Sequence, residues 1–263
     1  MFQRFFFAAA FTFMSYANCV ICRHDIAEEK YILFAKENQF TPVGHVFCHH
    51  LGSSGTLISP RTVLVSAHAI KDRCLATFKI YDPRKKKEIE IKGRAISHPQ
   101  YYQKSNSDNK IISLHNDVGL IILERPVKHI KPAKFWTGPV KQGEMCFCAG
   151  YGKRGNGLTG PQKIDFTKRA FTNTFAGVFT DKLFGTSYAI IFHPPQDRSQ
   201  VTYLEGIGAE GDSGAPVFVY DKESDRYLIA GILNLLVRKG HYHSYNTILP
   251  INSVLEWIEK NKR

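Results

Sequence analysis

Short apolar runs recur along this chain, each interrupted by Gly, Pro, Asn or Asp: GTLISP, TVLVSA, DVGLIIL, MCFCAGYG, SYAIIF, APVFVY and YLIAGILNLLV. They are rich in β-branched residues and shorter than a core helix, so they predict strands separated by turns, in an all-β sandwich or barrel. A convincing helical pattern comes only at the end. In NSVLEWIEKNKR, Ser253 stands three residues before Glu256, which predicts a capping box, and Val254, Leu255, Trp257 and Ile258 can line one apolar face. ERPVKHIKPAKFWTGPVKQG carries Pro126, Pro132 and Pro139 without alternation, which marks 126–139 as a connector. It separates 18–125, an N-terminal segment and first β half, from 140–263, a second β half with the closing helix. The glycine-rich stretch GYGKRGNGLTGPQ has little side chain to bury and predicts a mobile surface loop.

The first residues follow a different pattern. MFQRFFFAAAFTFMSYA has one arginine, an apolar run through Met14, then Ser15 and Ala17 at the spacing of a signal-peptidase site. Residues 1–17 read as a secretory signal peptide with Asn18 the first mature residue; a lipoprotein signal on Cys19 and a buried N-terminal helix are the alternatives. Later apolar runs are far shorter than the roughly 20 residues of a helical membrane span, so no transmembrane segment is expected. The expected destination is secreted or periplasmic.

Export gives the cysteines meaning, because an even count in an oxidising compartment reads as disulfides. The six are Cys19, Cys22, Cys48, Cys74, Cys146 and Cys148, and about fifteen pairings are open to any such set. Cys146 and Cys148, two apart on a strand, share one face and are expected to pair elsewhere rather than with each other. The Cys19 to Cys22 spacing also suits zinc, but it is too common to carry a site, and neither a metal nor a cofactor is expected.

Net charge is +12, or +11 once Arg4 leaves with the signal. The basic residues cluster in DPRKKKEIEIKG and RPVKHIKPAK. Such runs are usually solvated loop faces, yet they could also meet anionic surfaces. No nucleic-acid motif accompanies them, so dedicated nucleic-acid binding is not expected.

The chemistry starts at GAEGDSGAPVF, residues 208–218. Small residues around Ser213 either make an ordinary polar turn or present a nucleophile. A serine hydroxyl is weak at neutral pH unless an imidazole takes its proton, and the imidazole needs a carboxylate to fix its tautomer. Among the 11 histidines, His68 ends the strand-like run VLVSAH, although a half-buried structural histidine would look the same locally. Asp117, in HNDVGLIIL, stands at the mouth of an apolar strand, where a simple strand-start turn is the other reading.

GTLISPRTVLVSAHAI, NDVGLIIL and EGDSGAPVF, in that order, resemble the motifs of the chymotrypsin-like (trypsin-like) serine peptidases. CFCAGYG and the closing VLEWI extend the resemblance to about residues 40–260. It implies two antiparallel six-stranded β-barrels, a C-terminal α-helix and an active site in the cleft between barrels. It also implies an exported serine endopeptidase acting on protein or peptide substrates through an acyl-enzyme. Ser213 would be the nucleophile, His68 the general acid and base, and Asp117 the residue orienting His68. Backbone amides of Gly211 and Ser213 would form the oxyanion hole. Asp212 would be structural, pairing with the ammonium of a newly cut N-terminus.

Four departures bear on this reading. Ala69 and Ser53 stand where the family has a disulfide beside the histidine, and Cys48 and Cys74, which bracket it, are expected to substitute. Ala209 stands where a cysteine braces the specificity pocket. Ile207 stands where enzymes cutting after Arg or Lys carry an aspartate, while Asn234 and Leu236 occupy the pocket wall. Small or medium apolar side chains are expected there, unless nearby His241 and His243 favour an acid. Finally, no Ile-Val-Gly-Gly activation sequence occurs; Ile26 and Tyr31 are the candidate new N-termini. A catalytically weak or inactive homologue acting as a binding module is the alternative.

Overall fold

The computed structural model describes residues 20–49, 51–70, 72–108 and 110–263. The expected signal peptide and Cys19 lie outside the described residues. Six strands form a closed antiparallel barrel: Val43–Cys48, Leu51–Ser59, Thr62–Val65, Leu75–Asp82, Lys87–Ser97 and Gly119–Leu123. Alternation fixes which way each strand faces. In Leu75–Asp82, Ala76, Phe78 and Ile80 are completely buried while Leu75 and Tyr81 face water. Each large inward side chain contributes about 1.5–3 kcal/mol on burial, and a one-residue slip would turn all of them outward.

A second ring holds Met145–Gly150, Arg169–Asp181, Gly185–Ile191, Pro216–Asp221, Arg226–Val237 and Tyr245–Pro250, closed by pairing of the last strand with Arg226–Val237. Both six-stranded barrels are therefore present. The connector adds a short parallel strand, Lys134–Phe135, to the second ring. The closing helix, Leu255–Asn261, buries Ile258, Val254 just before it is also buried, and Trp257 meets the ring of His98 edge-on. Its expected capping box does not form. Ser253 lies in the 3-10 turn Ile251–Ser253 and its Oγ donates to the Pro250 carbonyl instead.

Residues 20–42 precede the first barrel in sequence but dock on the second. Ile21–Cys22 inserts between Lys153–Asn156, in parallel, and Gly206–Ile207, antiparallel. Lys153–Asn156 pairs in turn with Gly160–Ile164, so the glycine-rich stretch is a docked hairpin and not a loose loop. The reason is close packing: any side chain at Gly157 would collide with the ring of Tyr242, and a Cβ at Gly155 would lie 2.1 Å from the Gly160 carbonyl oxygen. Buried Arg169 clamps the segment further. Its Nε donates to Glu28 Oε1 at 2.8 Å, on the helix Glu28–Phe34, and its Nη atoms donate to both oxygens of Asp165. Only the guanidinium is buried, and with two carboxylate partners the loss of either one leaves it paired with the other. Lys168 Nζ donates to the carbonyls of Phe40 and Val43, and burial lowers its pKa to about 8.

Cys48 and Cys74 form a disulfide that spans 26 residues and encloses His68. The expectation that Cys146 and Cys148 pair elsewhere is not met among the described residues. Both thiols are free and buried, and their cross-strand neighbours, Asn173 for Cys146 and Phe171 and Val217 for Cys148, carry no sulfur. Replacing Cys48 and Cys74 together by serine should cost about 2–4 kcal/mol. For a chain of this size that lowers Tm by roughly 5–15 °C in a thermal melt; an unchanged Tm would contradict a stabilising bridge.

Candidate active site

The strands Thr62–Val65 and Gly119–Leu123 are antiparallel neighbours, with Val65 opposite Gly119. Chain leaving the first and chain entering the second therefore meet at one end of the barrel. His68 sits in the 3-10 turn Ala67–Ala69 just beyond one strand, and Asp117 stands just before the other. Asp117 is 1% exposed and turns both oxygens to His68: Oδ1 accepts the backbone N–H at 2.8 Å and Oδ2 lies 2.6 Å from ring Nδ1. A carboxylate only accepts, so Nδ1 carries a proton and a neutral ring leaves Nε2 as an acceptor. Nε2 lies 2.7 Å from the hydroxyl of Ser213, which reaches it from the second barrel.

Electrostatics at the ring oppose each other. Burial pulls the His68 pKa down, but the charge and hydrogen bond of Asp117 more than reverse this, and the net shift is upward. The ring can thus accept a proton from Ser213 and hold it beside a negative partner.

The turn carrying Ser213 depends on its glycines. Gly211 has φ +94° and Gly214 φ +82°, in the left-handed region open to glycine. A Cβ on Gly214 would also lie 2.6 Å from the Ser54 carbonyl and 2.7 Å from the Ser66 amide. Among the described residues, no hydrogen bond is donated by the Gly211 or the Ser213 amide. Ser54 fixes the turn from the first barrel. Its amide donates to the Ser213 carbonyl at 3.1 Å, while its Oγ donates to the Gly211 carbonyl at 3.0 Å and accepts from Tyr151 N–H at 2.9 Å. Nothing in the local sequence signals this role, because its partners lie 97 to 159 residues away.

Asp212 is buried. Its carboxylate accepts from the amides of Ala209 and Gly152, both at 3.1 Å, and from that of Val20. Burial raises its pKa to about 7, against those donors and the charge of Arg169. Ile26 and Tyr31 are elsewhere: Ile26 packs against the main core and the Tyr31 hydroxyl donates to the Glu205 carbonyl.

Ile207 is completely buried, clustered with Ile21, Phe192 and Ala209, with Leu236 and Tyr242 packed against them. The Asp212 carboxylate borders this cluster through the hydrogen bond it accepts from the Ala209 amide, while the position of Ile207 itself carries no charge. Asn234 is half-buried and its Oδ1 has no partner among the described residues. His241 and His243 are exposed, and it is Tyr242 between them that turns inward to stack on Phe192. Sequence reasoning missed Phe192 and Tyr242 because both are ordinary aromatic residues of a β core.

Residues 35–258 match the trypsin family, described simply as trypsin. The chain belongs to that family. Two snake venom serine proteases of Trimeresurus stejnegeri, KN14 and KN6, are each 31% identical over 105 residues, 38% of this chain. The chain spans 38% of the length of these relatives. Neuropsin, a serine protease expressed in the limbic system of mouse brain, shares the fold at 20% identity and TM-score 0.58, over 85% of this chain and 96% of its own.

The opposing effects on His68 give a signed prediction. In Asp117→Asn only burial remains, so the ring should titrate below the ordinary value of about 6.5, whereas wild type should titrate above it. Nitrogen-detected NMR of the ring measures both midpoints. An upward or unchanged midpoint in the variant would show that Asp117 does not set this pKa.

Proposed function

We propose that this trypsin-family chain is an exported serine endopeptidase with Ser213, His68 and Asp117 as its catalytic residues. The observation that carries the reading is the continuous hydrogen-bonded line from Asp117 through His68 to Ser213. Ser213 Oγ attacks the scissile carbonyl carbon as its proton passes to His68 Nε2, and the carbonyl oxygen takes the negative charge opposite the Gly211 and Ser213 amides. Collapse breaks the C–N bond; His68 gives its proton to the leaving amine, and an acyl-enzyme remains on Ser213. Water, deprotonated by His68, then releases the acid and restores the hydroxyl. Asp117 stabilises the charged ring throughout, and each step needs only these groups and water.

Specificity follows from the buried cluster. Burying an Arg or Lys side chain against Ile207, which carries no charge, would cost several kcal/mol, on the order of the desolvation penalty of an unpaired charge. Small or medium apolar side chains suit a site narrowed by Leu236. A peptide-library cleavage profile checks this: cutting chiefly after Arg or Lys would overturn it.

A fluorophosphonate probe tests the nucleophile. Wild type should be labelled and Ser213→Ala should not, while Ser213→Ala and His68→Ala should each lose at least about a thousand-fold in kcat/KM with an unchanged fold. An oxidised, folded wild type that stays unlabelled would favour a binding module instead.

Activation is read from Val20. In this family the aspartate before the nucleophile pairs with a new N-terminal ammonium, and here the Val20 amide already reaches Asp212. A cut between Cys19 and Val20 would replace an amide donor by a cation and hold Asp212 ionised. A chain prepared to begin at Val20 should react with the probe at least about tenfold faster than one beginning at Asn18, because a charge-assisted hydrogen bond to Asp212 is stronger than the amide's. Equal rates would contradict activation at this bond.

A further inference from the structure

The two basic runs are about forty residues apart in sequence, yet the fold brings them together on the outside of the first barrel. One is the hairpin tip between Leu75–Asp82 and Lys87–Ser97, where Asp82 pairs with Lys87. The other follows the strand Gly119–Leu123. Arg84 Nη1 donates to His129 Nδ1 at 3.0 Å, Arg125 Nη2 donates to the Glu90 carbonyl at 2.9 Å, and the Glu124 amide donates to the Lys92 carbonyl. Arg84, Lys85, Lys86, Lys87, Arg125 and Lys128 are all exposed there. Glu88, Glu90 and Glu124 are the acidic residues exposed there, and Glu90 pairs with Lys79.

Holding so many like charges within about a Debye length of each other is unfavourable, and a solvated loop would spread them. Here the tips are held instead. Buried Asp82 accepts from the amides of Arg84 and Lys85 at 3.0 and 3.2 Å, and Lys86 and His129 both sit at positive φ, +51° and +74°. Each such residue costs about 1 kcal/mol. The patch is thus preorganised and extended: from Glu90, where Arg125 attaches, to Lys86 is four residues, about 14 Å along a strand. That exceeds any single phosphate or sulfate, so the matching partner carries several anionic groups on one chain.

The surroundings decide which chain. Neither run itself contains Phe, Tyr or Trp, and Tyr81, exposed directly before the first, does not by itself make the row of platforms on which successive single-stranded bases stack. The tip does not stand free as a ribbon for a DNA groove, because Arg84 ties it to His129. No large apolar side chain is exposed in either run, whereas protein interfaces centre on such anchors. We propose that this face is a docking site for a linear sulfated polysaccharide, recognised by charge spacing. The inference stands independently of the peptidase reading.

The test is binding of a fluorescent heparin octasaccharide to the full chain, followed by anisotropy across a salt series. Replacing Arg84, Lys85, Lys86 and Lys87 by serine should weaken binding at least about tenfold at 0.1 M salt. It should also lower the slope of log K against log salt by about three to four, roughly one per lost contact. Removing the exposed Lys30, Lys36, Lys222 and Lys260 in the same way keeps the same net charge but should change binding less than twofold. Circular dichroism and Ser213 labelling by the probe, unchanged in both variants, show that each still folds. Equal losses in the two variants would mean diffuse attraction to a basic protein and would overturn the site. Tighter binding of duplex DNA of equal charge at matched salt would overturn the choice of partner.

Discussion

The register of two neighbouring strands is the constraint on which the rest depends. With Val65 opposite Gly119, the chain leaving one strand and the chain entering the next emerge side by side, and His68 meets Asp117 within hydrogen-bond reach. Burial on both faces holds that register: Val63, Val65 and Ile121 belong to one core and Leu64 and Leu120 to the other, so a slip of one residue would exchange the faces and misfit both cores. The second barrel needs only to bring one hydroxyl to a preformed imidazole. Ser54 ensures that it does so, since this single residue of the first barrel binds two carbonyls and one amide of the second.

Behind the reactive face, the segment from Val20 to Pro42 acts as a brace. Its strand pairs with Gly206–Ile207, so the floor of the apolar cluster and the N-terminal chain are parts of one small sheet. Arg169 connects that sheet to Glu28 and Asp165 and lies near enough to Asp212 to lower its pKa. Packing of the N-terminal segment and the geometry around Ser213 are therefore coupled through buried charge. Arg169 is 1% exposed, so little water screens its charge.

Much of this was legible in the sequence. The strand runs carry a local signal, whereas the two barrels and the meeting of His68, Asp117 and Ser213 are legible only because three motifs in order resemble one family; each motif alone also fits a turn or a structural residue. What escaped notice has only long-range causes. The glycine-rich stretch looks mobile until Tyr242 and the Gly160 carbonyl are seen to occupy the space its side chains would need. Cys146 and Cys148 are each expected to pair with a cysteine elsewhere, but their cross-strand neighbours are Asn173, Phe171 and Val217. Ser253 has the spacing of a capping residue, but the turn before the helix gives its hydroxyl a nearer acceptor.

The central claim is that the Ser213 hydroxyl forms a covalent bond with substrate while His68 handles its proton. Trapping the chain with an activated ester at acidic pH, where deacylation slows because His68 is protonated, and mapping the adduct by peptide mass spectrometry addresses it directly. An acyl group on the peptide containing Ser213, absent when the chain is unfolded first, is the predicted result. An adduct on another side chain, or a native chain that never acylates, would contradict the account.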